Sequence, residues 1–156
     1  MKDFGKKFEV DFNNSCERVG KLSYRIKTRQ TKFVGDNEIA DFILYDYPLI
    51  YFLELKSTKE KRLPFSMIRA NQLVGLRDII RFKGVGAGVV VQFREPTYSH
   101  YYVPITVIEE AIIDGKKSLS IKHMQEDDRI IYIPHTQKRV TVELDIETLL
   151  NKLGGI

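Results

Sequence analysis

The chain has 156 residues, 43% hydrophobic and 29% charged, and a net charge of +4 at pH 7, values that exclude a disordered polyampholyte. Its one cysteine, Cys16, excludes an intrachain disulfide and a cysteine-built zinc site. No uncharged apolar run nears the ~20 residues of a membrane helix and the first seven residues lack a signal peptide's apolar stretch, so the expectation is a single domain over residues 1–156 in the cytoplasm, with no membrane partner.

Phe4, Phe8, Phe12 and Cys16 recur at helical spacing and Gly20 is a natural stop, which predicts an amphipathic helix over residues 5–19 with Glu9 beside the apolar stripe. From Leu22 the pattern alternates, with Tyr24, Ile26 and Thr28 on one face and Arg25, Lys27 and Arg29 on the other, a strand with one basic face that Gly35-Asp36-Asn37 breaks. Residues 39–45 and 49–56 are β-branched and aromatic on either side of Asp46-Tyr47-Pro48, a hairpin. A second helix is predicted over 66–82, after Pro64. Gly84, Gly86 and Gly88 then lead into a buried strand at 89–93, with a partner strand at 98–103. Pro104 opens a short helix over 105–113, two further strands are expected at 129–133 and 139–144, and Asp145 caps a closing helix through Leu153. Helices interspersed with strands in this order indicate an α/β fold, a mixed β-sheet flanked by α-helices.

The charge is unevenly placed. Residues 21–32 carry five basic side chains and no acid, 33–55 carry five acids and no base, and 56–94 carry nine basic side chains against two acids. Two of the bracketed acids, Asp41 and Glu54, sit in apolar strands, where an ionised carboxylate costs several kcal/mol unless compensated. With Tyr47-Pro48 at the hairpin apex, Asp46 faces Leu49 and Asp41 falls opposite Glu54, a separation that suits one divalent cation. Lys56, two residues on, turns to the same face as Glu54. The same residues also suit a plain buried ion pair, Lys56 neutralising Glu54 while Asp41 caps a loop.

Gly5-Lys6-Lys7-Phe8-Glu9, Asp41, Glu54-Leu55-Lys56, and Pro64 leading to Gln72 together resemble the PD-(D/E)-x-K nuclease superfamily, specifically the RecU-type Holliday junction resolvases. The resemblance implies a restriction-endonuclease-like fold, a homodimer, and Mg²⁺-dependent paired nicking of four-way DNA junctions, with Mn²⁺ as a substitute ion. It implies Asp41, Glu54 and the Leu55 carbonyl as metal ligands, Glu9 completing the metal shell directly or through water, Lys56 as the group that orients or activates water and offsets charge on the phosphorane, and Gln72 as a residue that positions water or backbone. Family members carry a longer projection where this chain has residues 21–37; a compact version suits a bacteriophage enzyme, acting in the host cytoplasm. A same-fold nuclease for duplex or other branched DNA, and a non-catalytic DNA-binding protein of that fold, are the alternatives.

The basic blocks supply candidate phosphate contacts: Arg25, Lys27, Arg29 and Lys32 on one flank, Lys59, Lys61, Arg62 and Arg69 on the other. The glycines at 84, 86 and 88 precede a strand rather than follow one, so no nucleotide cofactor is expected. His100, His123 and His135 lack metal-ligand spacing and are expected to be ordinary hydrogen-bonded side chains. Tyr98, Tyr101 and Tyr102, like the phenylalanines of the first helix, are assigned to packing, and Cys16 to an inert buried position.

Overall fold

The computed structural model describes residues 2–26 and 39–154. Lys27, Arg29 and Lys32, along with Thr28 and the Gly35-Asp36-Asn37 break, lie outside the described residues.

Helix α1 (Phe4–Arg18) starts where the Asp3 side chain accepts the Lys6 N–H, and its helical apolar spacing buries Phe8, Phe12 and Cys16. It stops at Gly20, whose φ of 69° only glycine adopts cheaply. Strand β1 (Leu22–Arg25) pairs antiparallel with β2 (Phe42–Asp46), which turns at Tyr47-Pro48 into β3 (Leu49–Thr58). A short β4 (Arg62–Pro64), a 3₁₀ turn and α2 (Ala70–Ile79) form the crossover to β5 (Val85–Phe93), which lies parallel to β3. The chain returns antiparallel in β6 (Ser99–Pro104) and continues into α3 (Ile105–Ile113), β7 (Ser118–Ser120), α4 (Ile121–Glu126) and β8 (Ile131–Tyr132). The hairpin of β9 (His135–Gln137) and β10 (Val142–Leu144) precedes α5 (Ile146–Gly154), which Asp145 caps by accepting the Thr148 N–H at 3.0 Å.

The main sheet has six strands in the order β1-β2-β3-β5-β6-β8, with β4 and β7 paired separately. Alternation along the strands divides the core between two faces. Phe8, Phe12, Leu53, Val90 and Leu149 pack on the α1 and α5 side, and Leu76, Val89, Val91 and Ile108 on the α2 and α3 side. Among the described residues, no helix is long and apolar enough to cross a membrane.

Three expectations are corrected. Helix α2 is shorter than 66–82 because Ile68 and Arg69 are extended, so the helix begins only at Ala70. The strand expected at 139–144 is reduced to β10 and pairs with β9 outside the main sheet. Gly86 and Gly88 lie inside β5, not before it, because the Tyr51 and Tyr102 rings rest where their side chains would be. A Cβ on Gly88 would press into the Val103 carbonyl oxygen and the Tyr102 ring. Backbone cannot rotate aside as a side chain can. Gly88→Ala is therefore expected to destabilise the fold by about 2–3 kcal/mol in urea unfolding, while Gly154→Ala, with open space around it, shifts the midpoint little.

One polar joint was not anticipated. Buried Asp11 accepts from the Lys7 ammonium at 2.7 Å and the Val142 N–H at 3.3 Å through Oδ2, and Ser15 Oγ accepts the Leu144 N–H at 3.0 Å. These bonds fasten α1 to β10. Asp11→Ala leaves a buried N–H and an ammonium without their acceptor, with an expected loss of about 2 kcal/mol measurable as a lower urea midpoint.

Candidate active site

The hairpin register is the one the apex implies, from Asp46 opposite Leu49 to Phe42 opposite Leu53. One step further it changes. The Asp41 N–H also bonds the Leu53 carbonyl, at 3.1 Å, while its own carbonyl accepts the Ile26 N–H at 2.8 Å. Asp41 and Phe42 thus share one partner, a β-bulge, and the direct opposition of Asp41 to Glu54 is replaced by a step aside. The bulge re-aims the side chain along β3, where its Oδ2 accepts the Leu55 N–H at 2.9 Å. A strand residue's N–H and C=O face the same edge, so the Leu55 carbonyl is directed to the Asp41 side as well.

Glu54 pairs with Val89 of β5 and is only 1% exposed. Its Oε1 meets the Lys56 ammonium at 2.8 Å, the ion pair that the plain structural alternative requires. That pair accounts for one oxygen. Among the described residues Oε2 is buried and meets no hydrogen-bond donor, an acceptor that an apolar strand would not retain without compensation. Burial pushes the Glu54 carboxyl up to about 7, the neighbouring Asp41 charge pushes the same way, and Lys56 offsets part of the rise. Two acids this close, one with a bare oxygen, suit a hard divalent cation.

Glu9 approaches from α1. Burial raises its carboxyl, the Arg25 guanidinium at 2.8 Å opposes this, and the Asp41 charge adds to the rise. Its charge thus belongs to the same acidic neighbourhood. Among the described residues, however, no three His, Cys, Asp or Glu side chains converge closely enough to hold a metal between them. Asp41, Glu54 and the Leu55 carbonyl are the groups that could hold such a cation. In this structure Glu9 and Arg25 engage each other.

Gln72 is buried at the start of α2, and its Oε1 accepts the Arg69 N–H at 3.2 Å. That bond ties its oxygen to the backbone at the helix start. Lys59, Lys61, Arg62 and Arg69 are all exposed, on or after the turn that follows β3, and Arg62 Nη1 donates to Ser118 Oγ at 3.0 Å.

A buried polar chain beside Lys56 escaped the sequence reading. Ser57 Oγ donates to Gln92 Oε1 at 2.8 Å, and Gln92 Nε2 lies 3.0 Å from His100 Nε2. Burial, then His135, drives His100 down to about 3, so it is neutral at ordinary pH. His100 and His135 are far apart in the chain, yet their rings sit 4.8 Å apart. Gln92 within an otherwise apolar strand was the available signal. Tyr101 and Tyr102 are buried as expected, and burial lifts the Cys16 thiol to about 12, leaving it inert.

No family model matches the chain. It is 34% identical over 109 residues to the SPbeta prophage-derived uncharacterized protein YotM of Bacillus subtilis (strain 168), a match covering 65% of this chain and 55% of that protein. The chain thus spans about half the length of this curated relative. Among solved structures it is similar to Archaeoglobus fulgidus Hjc, a Holliday junction resolvase from an archaeal hyperthermophile. That likeness has a TM-score of 0.51 and 20% identity, and covers 65% of this chain and 78% of that one. The six-stranded mixed sheet flanked by helices is a restriction-endonuclease-like fold, as the sequence implied.

Proposed function

We propose that the protein is a Mg²⁺-dependent endonuclease that resolves branched DNA, with the four-way junction as its substrate. The observation that carries this reading is the meeting of Asp41 and Glu54 beside Lys56, with Glu54 Oε2 buried and, among the described residues, without a hydrogen-bond donor. The likeness to a junction resolvase in fold and the prophage-derived relative support it. The RecU-type assignment within it rests on the Gly5 to Glu9 and Pro64 to Gln72 motifs.

In this reading Asp41, Glu54 and the Leu55 carbonyl hold the ion, and Mn²⁺ can replace Mg²⁺. When bound, the ion supplies Lewis-acid polarisation of the phosphate and acidifies water. Lys56, whose ammonium lies 2.8 Å from Glu54 Oε1, would offset charge that develops on the phosphate oxygens. Glu9, through Arg25, sets the field at the edge of the site. Paired nicks on symmetry-related strands call for two copies of the site, hence a homodimer, which sizing in solution tests. A strict monomer at micromolar concentration would count against coordinated resolution.

Cleavage of a synthetic four-way junction, compared with a duplex of equal length, tests the function in Mg²⁺, Mn²⁺ and EDTA. Junction-selective nicking that EDTA removes is expected. Equal cutting of both substrates favours a general nuclease of this fold, and inertness in both metals favours a non-catalytic DNA-binding protein of that fold.

A further inference from the structure

Arg94 directly follows β5, and its N–H donates to the Thr58 carbonyl at 2.9 Å. Thr58 lies two residues beyond Lys56, about 7 Å along the strand. The Arg94 guanidinium lies 3.9 Å from the centroid of the Phe4 ring, its Nε buried without a hydrogen-bond partner. The Lys2 ammonium approaches the same ring, at 5.4 Å. Among the described residues Arg94 forms no ion pair, and Asp3, the acid that caps the start of α1, is turned to Lys6 at 3.8 Å.

An aromatic face orients a guanidinium but offers its N–H groups no lone pair in the ring plane, so stacking leaves the Nε donor unmet. Two cations drawn to one ring also repel each other. The repulsion is relieved by an oxyanion in the plane of the guanidinium, and because Nε is buried it is the terminal N–H groups of the arginine that are open to two oxygens of a phosphate. Phe4 precedes Glu9 by five residues, about 7.5 Å along α1, so an anion there is adjacent to the acid site and not in it.

We infer that Arg94, braced on Phe4 and joined by Lys2, is a phosphate-binding site whose occupant is a DNA backbone phosphate flanking the one to be cleaved. The DNA part rests on the nuclease reading; the affinity for phosphate does not. The residue would position the strand, since a contact to backbone oxygens reads no base.

The test follows the Arg94 Nε–Hε NMR signal of the full chain during titration with inorganic phosphate and, separately, with a four-way junction in Ca²⁺. Both are expected to shift it. In parallel, Arg94→Gln should weaken junction binding about 10-fold near 0.1 M salt and reduce the magnitude of the log K against log salt slope by about one. Arg94→Lys should keep the slope and recover only part of the affinity. Phe4→Leu, which removes the platform and no charge, should fall between wild type and Arg94→Gln. A signal unmoved by either ligand, or an unchanged slope in Arg94→Gln, overturns the inference. A shift with inorganic phosphate alone overturns its assignment to DNA. If no junction binds to the wild type, the nuclease reading fails, and the phosphate titration still decides whether Arg94 is an anion site.

Discussion

Glu54→Gln and Asp41→Asn should each lower Mg²⁺-dependent nicking of a four-way junction by about 10³-fold or more, with junction affinity unchanged or higher. Both substitutions keep shape and remove charge. An asparagine at 41 can still accept the Leu55 N–H through its amide oxygen, so the bulge has no reason to open. A glutamine at 54 is accommodated in the same buried volume, and the uncompensated Oε2 anion disappears. Affinity is expected to hold because neither acid attracts a polyanion; losing one reduces repulsion of the phosphate. Single-turnover cleavage, read beside a binding titration in Ca²⁺, separates the two effects. Cleavage at the wild-type rate by either variant would defeat the site assignment.

The second large effect is on stability, and it concerns the metal-free protein. Glu54 rises from an ordinary 4.5 to about 7 in the fold, chiefly through burial. Between those values the folded chain holds a proton that the unfolded chain has released, so the stabilisation is fully present below about pH 4.5 and is lost as pH climbs through 7. The loss amounts to about 3 kcal/mol over that interval. Glu9, also raised by burial, acts in the same direction; Asp127, held down chiefly by its hydrogen bond to Arg129, acts oppositely at lower pH, and His100 and His135, held down chiefly by burial, act oppositely below about pH 6.5, so the raw pH difference is smaller than the Glu54 contribution alone. Urea unfolding in EDTA at pH 5 and pH 8 measures the drop, and subtracting the same pair for Glu54→Gln isolates the one carboxyl. Parallel curves for the two proteins would sink the assignment. Saturating Mg²⁺ should restore stability at pH 8, because a cation at Asp41 and Glu54 takes over from the proton.

The hairpin was legible because period-two alternation and the Tyr47-Pro48 apex together leave one register, and it holds for five residue pairs. It failed at Asp41, since a bulge is decided by which carbonyl a backbone N–H finds, and Asp41 and Phe42 both find Leu53. The acid pair survives this error because the bulge carries the carboxylate toward β3 and not away from it. Gly86 and Gly88 were misread as a lead-in for a different reason: what requires them is a pair of tyrosine rings from β3 and β6. Helix α2 was drawn too long because apolar spacing continues through Ile68, where the backbone is extended. Arg94 escaped notice because its ring partner lies ninety residues earlier, beyond any local pattern.

The clasp between Asp11 and Val142 joins positions 131 residues apart. A ribosome makes the chain from its amino end, so the helix bearing Glu9 emerges long before the strand that fastens it. A nascent chain halted before Val142 has its acids in place along the sequence but lacks the far half of the clasp. The helix is therefore fastened only once translation has passed β10.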